Sequence, residues 1–323
     1  MRVAITGASG FVGGALCARL AAEGHRIVAF ARHATDDLRR FGQVFCLDER
    51  SSAAEFQTAL AGCHAVVHLA ARTHQGERVD PQSRAAFAGT NVDLSRMIVE
   101  QGLRAGVDRF VYLSSSKVMG EYSPRIAPDA WQSFSGASPA APLGLYAVTK
   151  YAAERLFSEA VATAAKRLTI LRPPLIYGPG LKGNLLTLLR AIWRGVPLPL
   201  AAIVNRRSLV HRDHLLEAIR LALNDPRPGI WTYTLADCAY STPDLVSVMA
   251  GGLGCRARLW RCPVAVLRPI GYCIGARAQI SRLTESLLLD ASEIERELGW
   301  RPQFEPTRAW AEIGHWFRQT PKT

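Results

Sequence analysis

The sequence predicts an α/β protein built on a doubly wound parallel sheet, with a smaller C-terminal lobe. In the first half of the chain, short apolar and β-branched runs alternate with amphipathic stretches of helical period, as in sheets whose parallel strands are joined by crossover helices. The run 65–68 is almost wholly apolar, which is typical of a strand covered on both faces. A glycine-rich turn, Gly7 to Gly13, directly follows the first apolar run. Strand, glycine turn and helix in this order indicate a Rossmann-type fold.

The individual elements follow from the same patterns. The predicted strands span 2–6, 26–31, 44–47, 65–68, 109–114, 168–172 and 231–235. The predicted helices span 11–23, 53–60, 86–105, 146–165, 184–194 and 213–223. Near the C-terminus, the pattern Ser292-x-x-Glu295 predicts a capping box that opens a helix, which Gly299 ends.

The domain boundary is expected where the strand–helix alternation loosens, just before Pro179-Gly180. We therefore predict a sheet domain over 1–178 and a smaller lobe over 179–323. Segments within about 208–240 are expected to return to the first domain.

Composition indicates an ordinary globular protein, with 49% hydrophobic and 20% charged residues among 323. An uninterrupted apolar run of about 18 residues is lacking, so we expect no transmembrane segment. Met1 leads directly into the first strand, which leaves no room for a signal peptide. The seven cysteines are scattered and form no Cys-x-x-Cys pair. We therefore expect reduced thiols in a cytoplasmic protein, and no metal site.

The formal net charge is +12, which indicates either an anionic partner or a solvated arginine-rich surface. The sequence contains no run of five basic residues and no zinc-finger pattern. We therefore expect no nucleic-acid partner.

The glycine turn is the pattern of a dinucleotide phosphate site. Gly7, Gly10 and Gly13 would allow a tight turn, close approach of the backbone to a pyrophosphate, and close packing of helix on strand. The amide groups at the helix start would then face the anion. The backbone positions expected to contact the cofactor there also include Ser9, Phe11 and Val12.

Arg32 follows the second predicted strand, at the position that distinguishes the two nicotinamide dinucleotides. An acidic residue there bonds the ribose 2′-hydroxyl, whereas a guanidinium suits a 2′-phosphate. We therefore predict a preference for NADP(H), with NAD(H) as the alternative if Arg32 is only a surface arginine.

Tyr146 and Lys150 are four residues apart, so they share one face of a predicted helix. A free tyrosine has a pKa near ~10, and a nearby ammonium favours its ionised form. The serine cluster that contains Ser115 ends the strand 109–114, where open α/β sheets bind ligands. Together they suggest acid–base chemistry on a substrate hydroxyl or ketone, although Tyr-x-x-x-Lys also occurs by chance in helices.

These motifs carry a resemblance over essentially the whole chain, together with the segments 67–71, 91–92 and 171–180. The chain resembles the extended short-chain dehydrogenase/reductase family, in its nucleotide-sugar epimerase, dehydratase and reductase branch. The resemblance implies that Ser115, Tyr146 and Lys150 are catalytic. It also implies that the cofactor contacts Tyr146 and Lys150, and the further residues Asp48 (at the adenine), Leu69, Ala70, Ala71 and Pro173 (at the nicotinamide).

Two departures from the family pattern narrow the chemistry. Dehydratases of this branch place an Asp-Glu pair after the catalytic hydroxyl residue, where this chain has Ser116 and Lys117. Epimerases that retain NAD often carry an acidic residue where this chain has Arg32. The resemblance also assigns substrate contacts to Ser116, Lys117, Asn184, Arg207 and Arg282, of which Arg282 has a surface role as its equal alternative.

The sequence of residues 115–121 is similar to the matching motif of reductases that make N-acetylated 6-deoxy sugar nucleotides for bacterial polysaccharides. We therefore predict an NADP(H)-preferring reductase of a nucleotide-linked 4-keto-6-deoxy-(N-acetyl)hexosamine. A 4-epimerase acting on a nucleotide sugar or a polyprenyl-linked sugar is the first alternative. A non-catalytic regulator that senses dinucleotides is the second. The expected partner is a nucleotide sugar, and a homodimer stays open.

Overall fold

The structure is a computed structural model that describes residues 1–47, 51–73, 80–273, 275 and 277–320. Its strands are β1 (Arg2–Thr6), β2 (Arg26–Ala31), β3 (Gly42–Cys46), β4 (Ala65–His68), β5 (Arg109–Leu113), β6 (Arg125–Ala127), β7 (Ala130–Trp131), β8 (Arg167–Arg172), β9 (Leu175–Tyr177), β10 (Arg207–His211), β11 (Gly229–Thr234) and β12 (Cys238–Tyr240).

The helices follow the predicted alternation closely in the first half and less closely afterwards. They are α1 (Phe11–Ala22), α2 (Asp36–Arg39), α3 (Ala53–Leu60), α4 (Pro81–Ala88), α5 (Leu94–Arg104), α6 (Gly144–Thr163), α7 (Asn184–Trp193), α8 (Arg212–Asn224), α9 (Thr242–Leu253), α10 (Val264–Cys273), α11 (Arg277–Thr284), α12 (Ser292–Leu298) and α13 (Pro306–Gln319). Within the described residues, no helix is both long and apolar enough to cross a bilayer.

A seven-stranded sheet forms the centre of the fold, in the order β11-β8-β5-β4-β1-β2-β3. Every neighbouring pair in it is parallel. The prediction of a Rossmann-type doubly wound parallel sheet is therefore confirmed. Strand order reverses between β1 and β4, and the crevice beyond their carboxyl ends is where folds of this type bind ligands.

Helices cover both faces of this sheet. One apolar cluster joins inward residues of β1, β2 and β4 to α1, α8 and α12, and a second joins the opposite face to α3, α5 and α6. Both faces are therefore dry, which explains why the central strands are apolar at nearly every position.

After Tyr177 the chain contributes some elements to the seven-stranded sheet and others to a small three-stranded sheet. β11 is an edge strand of the large sheet, and α8 packs against α1. β10 instead forms a small sheet with β9 and β12, and a third apolar cluster lies among α7, α9 and α13.

Two sequence-based elements differ from the structure. The single helix predicted over 86–105 is interrupted by a π-helical turn, Gly89–Asp93, which separates α4 from α5. The predicted capping box at Ser292 is wrong, because Ser292 is the first helical residue and the Asp290 carboxylate accepts its N–H at 2.9 Å.

Candidate active site

The glycine turn between β1 and α1 is a cradle that a side chain would fill. Gly7 has φ +67°, and a β-carbon on it would lie 2.9 Å from the Ala70 nitrogen. A β-carbon on Gly13 would lie 2.1 Å from the Gly7 carbonyl oxygen, and one on Gly10 would lie 3.0 Å from the same atom. The turn therefore brings backbone against backbone, leaving its outer surface open to an approaching ligand.

The first turn of α1 is suited to an anion. Its N-cap residue is Gly10, which has no side chain to compete for the helix N–H groups. Phe11 and Val12 lie in this first turn, where helix N–H groups lack intrahelical acceptors. Partial positive charge at a helix N-terminus stabilises a phosphate, so the turn fits the pyrophosphate of a dinucleotide.

The wall opposite the turn is the segment after β4. The Thr6 hydroxyl accepts the N–H groups of Leu69 and Ala70, each at 3.1 Å. Leu69, Ala70 and Ala71 are half-buried, which leaves part of each available to a cofactor. The structure thus brings these three predicted cofactor residues to the sheet edge that carries Gly7.

The remaining predicted cofactor residues have varied settings. Ser9 is exposed on the turn, and Arg32 is exposed immediately after β2. Pro173 is buried after β8, and its carbonyl accepts the Ser116 N–H at 2.9 Å. Asp48 lies outside the described residues.

The three predicted catalytic residues lie together beside this crevice. Ser115 follows β5 and caps a short 3₁₀ turn, Ser116–Val118, accepting the Lys117 N–H at 3.3 Å. The side chains of Ser115 and Tyr146 are hydrogen-bonded to each other. Burial raises the pKa of Tyr146 above its ordinary value of 10.0, and the bond with Ser115 opposes this rise. Tyr146 is therefore a neutral phenol at neutral pH, able to donate a proton.

Lys150 lies one turn farther along α6 and is only 1% exposed. Its ammonium stands over the Tyr112 ring, 4.1 Å from the ring centroid. Burial lowers its pKa from 10.5 to about 7, and Glu154 opposes this effect. This shift makes Lys150 easier to deprotonate than a free lysine. Glu154 is itself held by Arg172 at 2.7 Å in a buried ion pair.

A chain of hydrogen bonds connects the glycine turn to α6, the helix that carries Tyr146 and Lys150. The Thr6 hydroxyl contacts His68 Nδ1 at 2.7 Å, and His68 Nε2 contacts the Ser95 hydroxyl at 2.9 Å. Ser95 donates to the Asn91 carbonyl at 2.7 Å. Burial, assisted by Lys150, lowers the pKa of His68 to about 3, so this imidazole is neutral.

Asn91 completes this connection from the π-helical turn. Its Oδ1 accepts the Arg72 N–H at 2.7 Å, and its Nδ2 donates to the Thr149 hydroxyl at 2.9 Å. Thr149 lies directly between Tyr146 and Lys150 in sequence, and its hydroxyl also donates to the Tyr146 carbonyl at 3.0 Å. The position of α6 is thus tied to the cofactor wall by neutral groups.

We call these five residues, Thr6, His68, Asn91, Ser95 and Thr149, the polar chain. The sequence analysis included His68 and Asn91 only within the segments 67–71 and 91–92, and gave neither a role of its own. The available signal was a histidine that ends an otherwise apolar strand, since a buried imidazole needs polar partners.

Three predicted substrate residues gather around one charged cluster. Lys117 Nζ pairs with Glu121 at 2.9 Å, and each side chain is 19% exposed. Arg207 donates to the Glu285 carbonyl at 3.1 Å. Burial lowers the pKa of Arg207, Glu121 opposes this, and nearby Arg282 adds to it. Lys117, Arg207 and Arg282 thus share one electrostatic environment, with Glu121 as the carboxylate that sequence reasoning missed.

The other two predicted substrate residues are placed differently. Ser116 is buried, with its backbone bonded to Pro173. Asn184 is exposed at the start of α7, and no contact of its side chain brings it to the charged cluster in the part of the chain described.

Comparisons with known proteins show the family to which this chain is related. The family model "NAD dependent epimerase/dehydratase family" matches residues 3–233. A UDP-glucose 4-epimerase of Vibrio cholerae is 30% identical over 305 residues, which cover 93% of this chain and 90% of that protein. An N-acetyl-α-D-glucosaminyl-diphospho-ditrans,octacis-undecaprenol 4-epimerase of Escherichia coli O157:H7 is 29% identical over 247 residues, 75% of this chain and 68% of that protein.

The fold has solved counterparts. MoeE5 in complex with UDP-glucose and NAD matches with a TM-score of 0.76 and 25% identity, over 99% of each chain. Because the family model matches residues 3–233, well over half of the chain, this chain belongs to the NAD-dependent epimerase/dehydratase family of extended short-chain dehydrogenases/reductases.

Proposed function

We propose that this enzyme reduces the ketone of a nucleotide-linked 4-keto-6-deoxy-(N-acetyl)hexosamine, a precursor of bacterial polysaccharide sugars. The observation that carries the proposal is the hydrogen-bonded pair of Ser115 and Tyr146 at the carboxyl end of β5, next to Lys150. Such a pair can hold a carbonyl oxygen and protonate it. When bound, the nicotinamide supplies the hydride.

The residue roles follow from their settings. Tyr146, whose pKa is raised by burial, gives its phenolic proton to the ketone oxygen as that oxygen gains negative charge. The Ser115 hydroxyl orients the same oxygen. Lys150, with its pKa lowered to about 7, returns a proton towards Tyr146 after each turnover. The polar chain keeps α6, and therefore Tyr146, at a fixed position relative to the cofactor wall.

Reduction is favoured over dehydration by the residues that follow Ser115. Elimination of water from a sugar needs one group to take a proton and another to give one to the leaving hydroxyl. Ser116 is buried, and Lys117 is an ammonium held by Glu121. Neither is the carboxyl acid or base that a dehydratase would use.

We assign the substrate's diphosphate to the cationic side of the site. Lys117, Arg207 and Arg282 supply charge-assisted donors for phosphate oxygens, and Asn184 is a further proposed contact. MoeE5, the structural counterpart, holds UDP-glucose, which supports a nucleotide sugar as the substrate class. In this assignment residues 1–178 bind the cofactor and 179–323 complete the substrate site, with segments within about 208–240 belonging to the cofactor domain.

We propose NADP(H) as the preferred cofactor because Arg32 is exposed immediately after β2. Its guanidinium is free of the core and suited to a 2′-phosphate. MoeE5 holds NAD, so NAD(H) is the competing assignment. The test is Arg32→Ala, which should weaken NADPH binding at least about tenfold and leave NADH binding within about twofold. Arg39→Ala, an exposed arginine on α2, is the control. Equal loss for both cofactors would refute the role of Arg32.

A 4-epimerase is the second candidate, and the two epimerase relatives favour it. An epimerase would oxidise C4, present the other face of the ketone and return the hydride. The relative from Escherichia coli is named for a polyprenyl-diphosphate-linked sugar, so a lipid-linked substrate belongs to this second candidate. A cytoplasmic location and a homodimer are parts of the proposal that need separate measurement.

The test is to incubate purified protein with a UDP-4-keto-6-deoxy-N-acetylhexosamine and NADPH. We expect one NADPH oxidised per ketone consumed, with a 4-hydroxy sugar nucleotide identified by NMR. Interconversion of a UDP-hexosamine with its C4 epimer, without net loss of NADPH absorbance, would place the epimerase first.

A further inference from the structure

The surface formed by the 255–262 segment and α10 has an unusual charge and apolar content. Residues 245–284 contain six arginines and no lysine, aspartate or glutamate, so their formal charge is +6, and four of these arginines lie within 256–273. Exposed apolar side chains lie on the same stretch, at Trp260, Val266, Ile270 and Tyr272. We call the exposed residues of 256–273 the basic apolar face.

The first part of this face is an extended segment docked beside α7. The Trp260 N–H donates to the Leu198 carbonyl at 3.1 Å, and the Leu198 N–H donates to the Arg258 carbonyl at 2.8 Å. Successive side chains of an extended segment point to opposite sides. Ala257 and Leu259 are half-buried, whereas Arg256, Arg258 and Trp260 are exposed. Two guanidinium groups and one indole therefore line one side.

The second part of the face is α10. Leu267 and Gly271, one helical turn apart, are buried and anchor the helix. Val266 and Ile270, also one turn apart, are 48% and 49% exposed, and Tyr272 is 72% exposed. The helix therefore differs from an ordinary amphipathic surface helix, in which the large apolar side chains are buried. Here Leu267 is buried, but several other large apolar side chains of α10 face outward.

The chemistry of the face favours an anionic lipid surface as its occupant. Arginines attract anionic headgroups, while Trp and Tyr settle at the level of the headgroups and aliphatic side chains enter the acyl boundary. A second copy of the same face would bring like charges together, which disfavours pairing. A nucleic acid would match the charge, but would leave Val266 and Ile270 without apolar partners.

The face adjoins the proposed substrate side of the site. α11 continues the same stretch, and its Ser281 donates to the Tyr122 hydroxyl at 2.8 Å. Arg268 pairs with Glu285, the first acidic residue after the stretch. We propose that the basic apolar face docks the enzyme on an anionic membrane surface, as a peripheral contact and with the charged substrate cluster close to the lipid.

The test is co-sedimentation of the full chain with vesicles of phosphatidylcholine alone, or of equal parts phosphatidylcholine and phosphatidylglycerol. We expect binding to the anionic vesicles only, weakened by salt. Arg256→Gln combined with Arg258→Gln should weaken it by about 25-fold, from roughly fivefold for each arginine. Trp260→Ser combined with Ile270→Gln should weaken it at least about tenfold through lost apolar contact.

The matched control is Arg96→Gln combined with Arg104→Gln, which removes the same charge from the exposed side of α5. It should change lipid binding less than about twofold. Absence of anionic binding, or equal loss in the control pair, would overturn the proposal. The proposal would also be overturned if the variants of the face bound lipid normally but lost self-association or DNA binding. Thermal unfolding of each variant verifies that the variant is folded.

Discussion

The proposed cofactor side and the proposed substrate side of the site are built by different means. On the cofactor side, backbone packing at Gly7 and Gly13 and the neutral polar chain set the geometry, mostly out of water. On the substrate side, partly exposed charges such as Lys117 and Glu121 set it by pairing. Fixed, dry geometry is insensitive to salt, whereas exposed ion pairs are screened. Variants on the first side should therefore change the chemical step or the fold, and variants on the second should change substrate affinity.

This difference also explains what could be predicted from the sequence. The glycine turn and the Tyr146–Lys150 pair are local patterns, so spacing along one strand–helix unit was enough to place them. Glu121 pairs with Lys117 four residues away, but its electrostatic effect on Arg207 arises only because folding brings the two segments together. Contacts over such separations leave no periodic signal in a single sequence.

Two Ser-x-x-Glu patterns show that a single sequence also fails to separate a real capping box from a chance one. Ser52 and Glu55 form a reciprocal capping box at the start of α3, with Ser52 N–H to Glu55 Oε2 at 2.7 Å. Ser292 and Glu295 do not, because Asp290 already accepts the Ser292 N–H and the helix begins one residue earlier. The π-helical turn Gly89–Asp93 was missed for a related reason, because its Asn91 contacts Arg72, which lies in a distant segment.

The largest expected effect is on the proposed cofactor side, at Tyr146, the proposed proton donor. Tyr146→Phe removes the phenolic hydroxyl and keeps the ring, so turnover should fall by about 10²–10⁴-fold while cofactor affinity is retained. Steady-state kinetics and cofactor titration measure the two effects. Tyr151→Phe, the next tyrosine on α6, is the control and should keep turnover within about twofold. A Tyr146→Phe enzyme with most of its turnover would remove Tyr146 from the mechanism.

The glycine cradle gives the next effect. Gly13→Ala would place a β-carbon 2.1 Å from the Gly7 carbonyl oxygen, so α1 must move away from the turn. Dinucleotide affinity should fall at least about tenfold, and the free energy of unfolding should fall by ~1–3 kcal/mol. Gly14→Ala is matched to it, because its β-carbon would meet the Ala8 carbonyl at an ordinary 3.5 Å. If both variants bind cofactor equally, close packing of this helix on the strand is not what builds the phosphate site.

The third prediction tests the polar chain at its contact with α6. Thr149→Val deprives Asn91 of an acceptor at 2.9 Å, which should cost ~1–3 kcal/mol of stability and lower kcat with little change in KM. Thr149→Ser keeps the hydroxyl and should restore kcat. Loss of stability without a change in kcat, or failure of the serine variant to rescue it, would show that the chain does not position Tyr146.

The smallest expected effect is on the substrate side. Lys117→Ala should raise KM for the sugar nucleotide by about tenfold, and spare kcat and cofactor binding, because it removes a partly screened contact. The rise should shrink as salt increases. Lys166→Ala, which removes a lysine paired with Asp108 at the other end of β8, is the control. An unchanged KM would make Lys117 a structural partner of Glu121 alone.

The central claim is that this site delivers hydride to a substrate ketone and then exchanges its cofactor. The most direct measurement uses NADPH deuterated at C4, prepared as each stereoisomer, with a UDP-4-keto-6-deoxy-N-acetylhexosamine. The account predicts that one of the two isomers places one deuterium at C4 of the product sugar for each cofactor oxidised. Conversion of a UDP-hexosamine into its C4 epimer, with its own hydrogen retained and no deuterium gained from either isomer, would contradict it.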